Sequence, residues 1–204
     1  STNLQGTVNL IVRDSETLFV TALRSPVEAG YFKIALGVIN LVMLPVEPFI
    51  ATTYSEISRT IAQKEYSLTH RLLKRVTMIT GGWSVAAGGF VGLFGYWLIP
   101  WLYGKEYAPA FPALLILILG YGCANILNWN RPLLLALGMP GYPLKVSAWM
   151  GLVKTALTLA LLPPLGYLAE AALLSGYLVT TVLMNVWRGL RELQPAKKQS
   201  GIVV

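Results

Sequence analysis

Charge is the scarcest resource in this chain. Only 12% of its 204 residues are charged, nine acidic and sixteen basic, whereas a soluble domain carries about 25%. That proportion leaves too few charges to cover a surface facing water. The sequence has one cysteine, Cys123, and one histidine, His70. This excludes a disulfide framework and a Cys/His metal cluster, and no Ser/His or Cys/His nucleophile can be assembled around a single histidine in a basic stretch. No metal or cofactor is expected. The formal charge of +7 is spread between apolar runs and forms no basic domain for gripping phosphates, so nucleic acid is not an expected partner. An initiator methionine and a signal-peptide pattern are also missing at Ser1, and the expectation is a piece that begins inside a longer protein.

Hydrophobic residues, by contrast, make up 55% of the chain, with a mean hydropathy of +0.60. The expected fold is an all-α integral membrane bundle of about six transmembrane helices. A helix needs about 20 apolar residues to cross a bilayer. Six stretches qualify, at about residues 4–23, 30–51, 76–103, 109–137, 143–162 and 167–187, the fourth kinked at Pro132. Ser84, Gly88 and Gly92 stand at the spacing that lets helices approach closely in lipid. Trp97, Trp101 and Tyr103 read as an interfacial belt.

The stretch 53–76 carries Arg59, Lys64, Arg71, Lys74 and Arg75. It reads as a basic cytoplasmic loop, part of it an amphipathic helix through Ile57, Ile61, Leu68 and Leu72. The basic segment 189–204 becomes a cytoplasmic tail on the same side. The opposite loops hold only Arg24 and Lys105, so the basic residues agree on one orientation.

Charged residues inside the spans are the candidates for function, because each costs about 2.5–3.5 kcal/mol at the bilayer centre on insertion scales. In the first span Gln5, Asn9, Arg13 and Glu16 recur at helical spacing and share a face. That face must line a bundle interior or a watery cavity, or else hold a structural pair at i, i+3. Asp14 points about 100° away and can pair with Lys154 or act as a proton or cation coupling site. Asp14 and Glu16 do not converge, which is poor geometry for a catalytic carboxylate pair. The short outer loops also argue against an intramembrane glycosyltransferase or ligase. No enzyme activity is expected.

Four segments, taken in order, carry a resemblance to a known family: RDSETLFVTALRSPVEAGYFKIAL, LPVEPFIATTYSEISRTIAQKEY, LIPWLYGKEYAPAFPALLIL and LLPPLGYLAEAALLSGY. Together they are similar to the polysaccharide flippase branch of the exporter superfamily that also contains the multidrug and toxin extruders. Ala169 and Glu170 stand where that family commonly has a glycine. The resemblance implies two six-helix lobes around a cavity that opens alternately to either side, and this chain resembles the second lobe, with an amino-terminal lobe as its missing partner. It implies export of a lipid-linked oligosaccharide on a polyprenyl pyrophosphate across a bacterial inner membrane for cell-envelope polysaccharide such as O-antigen, with a proton or sodium ion as coupling ion. On that reading Arg13, Arg131 and Lys154 are candidate cations for the pyrophosphate. Gln5, Asn9, Asn125 and Asn128 are candidate sugar partners. Lys154 reads equally as a neutralised packing residue, and Arg131 as a headgroup anchor. A cation-coupled small-molecule extruder and a membrane assembly subunit without transport are the alternatives.

Overall fold

The structure is a computed structural model that describes residues 15–200. Every regular element among them is helical. Helix α1 covers residues 15–23, followed by α2 (Pro26–Met43), a 3-10 turn at Leu44–Val46 and α3 (Glu47–Ala62). Helix α4 (Tyr66–Tyr103) leads through a second 3-10 turn at Lys105–Tyr107 to α5 (Ala110–Ile126), α6 (Asn130–Ala136), α7 (Gly141–Leu165) and α8 (Tyr167–Ser200).

Among the described residues, five segments are long and apolar enough to span a membrane: Pro26–Val46, Tyr66–Tyr103, Ala110–Ala136, Gly141–Leu165 and Tyr167–Leu193. Their outer faces carry bulky apolar side chains that water would not tolerate as a patch, such as Trp101, 79% exposed, and Leu119, 74% exposed. These features are consistent with a multi-pass membrane protein. The first expected span, 4–23, lies mostly outside the described residues. Its remainder, 15–23, is helical.

Three expectations differ from the structure. The stretch 53–76 is not an open loop: α3 runs to Ala62 and α4 begins at Tyr66, leaving a turn at 63–65. Ile57 and Leu73, four turns apart in sequence, share one apolar cluster, and Thr69 Oγ1 donates to Thr60 Oγ1 at 2.9 Å. The amphipathic spacing therefore bends into a hairpin. The fourth span breaks between Ile126 and Asn130, not at Pro132. Pro132 sits in the first turn of α6, where a missing N–H costs nothing. The tail is also helical through Ser200.

Successive spans alternate in direction, so the links gather at two ends. At one end lie 24–25, 104–109 and Gly166, tied by polar contacts. Arg24 Nη1 donates to the Pro163 carbonyl at 2.9 Å, and Glu28, in an ion pair with Arg24, accepts the Tyr167 N–H at 3.0 Å. Tyr167 in turn donates to the Pro109 carbonyl at 2.7 Å. The one-residue link needs Gly166, whose φ of 74° is left-handed. The opposite, basic end carries the α3–α4 hairpin, α6 and the end of α8, closed over Ile57, Leu73, Trp129, Leu133 and Leu193.

Between the ends, α5 is the hub. It packs against α8, α4 and α2, and a core of Phe32, Ile39, Val91, Leu114, Leu117 and Leu174 surrounds it. The α5–α8 contact is the most extensive, and Gly120 makes it possible: a Cβ there would stand 2.5 Å from the Ser175 Cα. Ser175 Oγ donates to the Ile116 carbonyl at 2.8 Å, which locks the pair. Overpacking of this kind costs about 1–3 kcal/mol, so Gly120→Ala is expected to lower the unfolding temperature in detergent. Gly37→Ala on the exposed side of α2, with nothing within 4 Å of the new Cβ, is expected to leave it unchanged or raise it. Equal melting of both variants would refute the hub assignment.

Candidate functional site

Two polar assemblies lie inside this apolar bundle. The first joins α1, α7 and α8. Lys154, in the middle of α7, places its ammonium 2.8 Å from Glu16 Oε1 and 2.5 Å from Glu170 Oε1. Thr158, one turn further along the same face of α7, donates to Glu170 Oε2 at 2.8 Å. The Glu170 side chain is wholly buried, and those of Lys154 and Glu16 are only 11% and 16% exposed. Charges this deep are retained only when paired and hydrogen-bonded. Fully ionised, two carboxylates and one ammonium carry a formal charge of −1. Among the described residues the assembly is therefore one positive charge short of neutrality.

The second assembly is a cavity of about 290 Å³ towards the basic end, walled by α2, the start of α3, α5, α6 and α8. The break after α5 builds its floor. A helix interrupted within a span frees backbone carbonyls that side chains must satisfy. Here Thr80 Oγ1 reaches the Ile126 carbonyl at 3.2 Å, and Asn130 Nδ2 donates to the Leu127 carbonyl at 2.7 Å. Asn185 of α8 donates to Asn130 Oδ1 at 3.1 Å. Trp129 donates to Thr77 at 2.7 Å, fixing the break against α4. The walls add Asn125 and Asn128, with Tyr121, Tyr177 and Thr181. Asn125 Nδ2 donates to Ser84 Oγ at 2.7 Å. Both polar atoms of the Asn128 side chain are buried without a hydrogen-bond partner among the described residues. Arg131 stands at the rim, exposed, with Nη2 3.2 Å from Ser147 Oγ.

Of the residues expected to matter, Asn125, Asn128 and Arg131 share this cavity, while Glu16 and Lys154 form the separate ionic assembly. Gln5, Asn9, Arg13 and Asp14 lie outside the described residues. Asp14, the possible partner of Lys154 in the sequence, lies outside the described residues; among these the partners of Lys154 are Glu16 and Glu170. Glu170 is not among the expected site residues; it stands near the start of its expected span, as the fourth residue from Tyr167. The signal that could have found it is the i, i+4 pair of Lys154 and Thr158 on a helix with no other interior charge. Asn130 and Asn185 were missed for a different reason: neither is polar at a spacing that marks a face, and only the break brings them together.

None of the protein families, curated proteins or solved structures compared with the chain matches it.

The charge count predicts an asymmetry between substitutions. Lys154→Met leaves two buried carboxylates unanswered and is expected to cost about 3–5 kcal/mol, as for breaking a buried pair. Glu170→Gln leaves the neutral Glu16–Lys154 pair and is expected to cost distinctly less. Thermal unfolding of the two variants in the same detergent checks the order, and a reversed order would show that the charges are not balanced in this way.

Proposed function

We propose that the chain is the second six-helix lobe of a two-lobe flippase that moves a lipid-linked oligosaccharide across the cytoplasmic membrane by alternating access, with its basic end in the cytoplasm. The observation that carries this reading is the cavity at the break between α5 and α6. Discontinuous helices and re-satisfied backbone at membrane depth are what transporter sites are built from. The lining suits a sugar: amides and tyrosine rings offer hydrogen bonds and flat apolar faces, and the buried Asn128 amide in the wall has no partner among the described residues. Arg131 at the rim offers a planar fork for a pyrophosphate at headgroup depth. The resemblance of the four sequence segments supports the same substrate class, and an amino-terminal lobe would complete the cavity.

In this mechanism the Glu16–Lys154–Glu170 assembly is the coupling element. One proton or one monovalent cation neutralises it, and its three groups come from three helices. Loading would thus change how strongly α1 is held to α7 and α8. That same feature favours, as a second reading, a cation-coupled extruder of small molecules.

The test uses the full-length protein in its native host at matched membrane levels. Asn128→Ala and Arg131→Ala are each expected to slow export about tenfold or more, equivalent to about 1.4 kcal/mol on its barrier, so that surface polysaccharide falls while the lipid-linked precursor accumulates on the cytoplasmic side. Normal surface polysaccharide in both variants would overturn the proposal, and loss of drug resistance in its place would establish the extruder. Glu170→Gln is expected to abolish the dependence of export on the proton or sodium gradient. Unchanged gradient dependence would remove the assembly from coupling.

A further inference from the structure

The lipid-facing side of α4 and α5 carries a groove of about 390 Å³ that the transport reading does not use. Its walls are Val85 on α4 and Ile118, Leu119, Gly122, Cys123 and Ile126 on α5. It is almost wholly apolar and it stays open because Gly122 contributes no side chain; a Cβ there would meet nothing within 4 Å. A second feature of α4 points the same way. Arg71, Lys74, Met78, Gly81 and Val85 follow one another at spacings of three and four, so they form one stripe along the helix. The stripe leads from two exposed cations at the basic end into the groove. Neither Arg71 nor Lys74 forms an ion pair among the described residues. From Lys74 to Val85 the helix rises about 16 Å, comparable to the length of a phospholipid acyl chain.

We propose that this groove and stripe form a binding site for one anionic phospholipid, its phosphate on Arg71 and Lys74 and one acyl chain lying between α4 and α5. Charge complementarity selects the occupant. A second helix would bury the two cations against a protein surface, whereas an anionic headgroup neutralises them at the depth where headgroups lie. A narrow, apolar, open-sided groove suits a flexible chain. The site depends on the chain's being in a membrane and not on what it transports, so it stands or falls apart from the flippase reading.

The experiment is native mass spectrometry of the whole protein released from micelles containing phosphatidylglycerol and phosphatidylcholine in equal amounts. The wild type is expected to retain one phosphatidylglycerol. The Arg71→Gln/Lys74→Gln variant is expected to lose about thirtyfold in that retention, the equivalent of about 2 kcal/mol for two cations at an anionic surface. Gly122→Leu, which fills the groove, is expected to lose it as well, while Lys105→Gln at the far end retains it. Helix content and elution volume confirm folding, and if Gly122→Leu fails to fold, Cys123→Phe fills the same space. Retention by both the cation and the groove-filling variants overturns the proposal. Loss in the cation variant alone removes the acyl chain from the groove, and loss in the groove variant alone removes the headgroup from Arg71 and Lys74. Preferential retention of a polyprenyl phosphate added to the micelles also overturns it, assigning the groove to a transported lipid.

Discussion

An ammonium group inside hydrocarbon must have its charge answered, and in this bundle the answer to Lys154 comes from two other helices. Glu16 on α1 and Glu170 on α8 close on it from either side, with Thr158 taking the remaining oxygen of Glu170. The hydrophobic effect does not drive helices together in lipid, since tails and leucines are equally apolar. Packing and polar contacts have to do it. The ionic assembly therefore fixes the register of α1 against the α7–α8 pair in a way that apolar contact alone would leave loose, and α7, which packs chiefly on α8, depends on it most.

The same constraint applies to the backbone, and it explains where the cavity is. Breaking α5 from α6 within one span frees the carbonyls of Ile126 and Leu127 from helical bonding, and hydrocarbon cannot solvate them. Thr80 and Asn130 take them up, and Asn185 and Trp129 hold the arrangement to α8 and α4. The polar residues around the break do two things at once. Some are committed to the backbone, and others, Asn128 among them, line the cavity without being so committed. A continuous helix would have provided neither the space nor the cluster of amides.

What could be read from the sequence follows from how far each signal extends. Spans announce themselves by length and apolarity because a bilayer has a fixed thickness, but their ends do not: the apolar helix expected from residue 76 begins at Tyr66, ten residues earlier. The gathering of Asn125, Asn128 and Arg131 was legible because they lie within seven residues of one another. The break itself was not: Pro132 is a louder breaker than Leu127, yet it sits harmlessly in the first turn of α6. The hairpin at 63–65 was hidden for a related reason. Its polar composition is that of a loop, and only the tertiary contact of Ile57 with the α4, α6 and α8 residues around it turns that stretch into structure. Glu170 was concealed by position, since nearness to a span's end in sequence says little about depth once a neighbouring helix folds over it.

Helix α4 has 38 residues and is about 57 Å long, nearly twice the hydrocarbon thickness of about 30 Å. Its basic end is held by α3, α6 and α8 through the cluster around Leu73, with Thr77 accepting from Trp129 beside it, while its other end is held to α5 by close contacts at Gly88 and Gly95. Mechanically this is a stiff rod gripped near both ends. A tilt of about 10° at one grip displaces a point some 25 Å along the rod by about 4 Å, on helical dimensions alone. A small rearrangement at either grip is thus carried along the rod to the other instead of being absorbed between them.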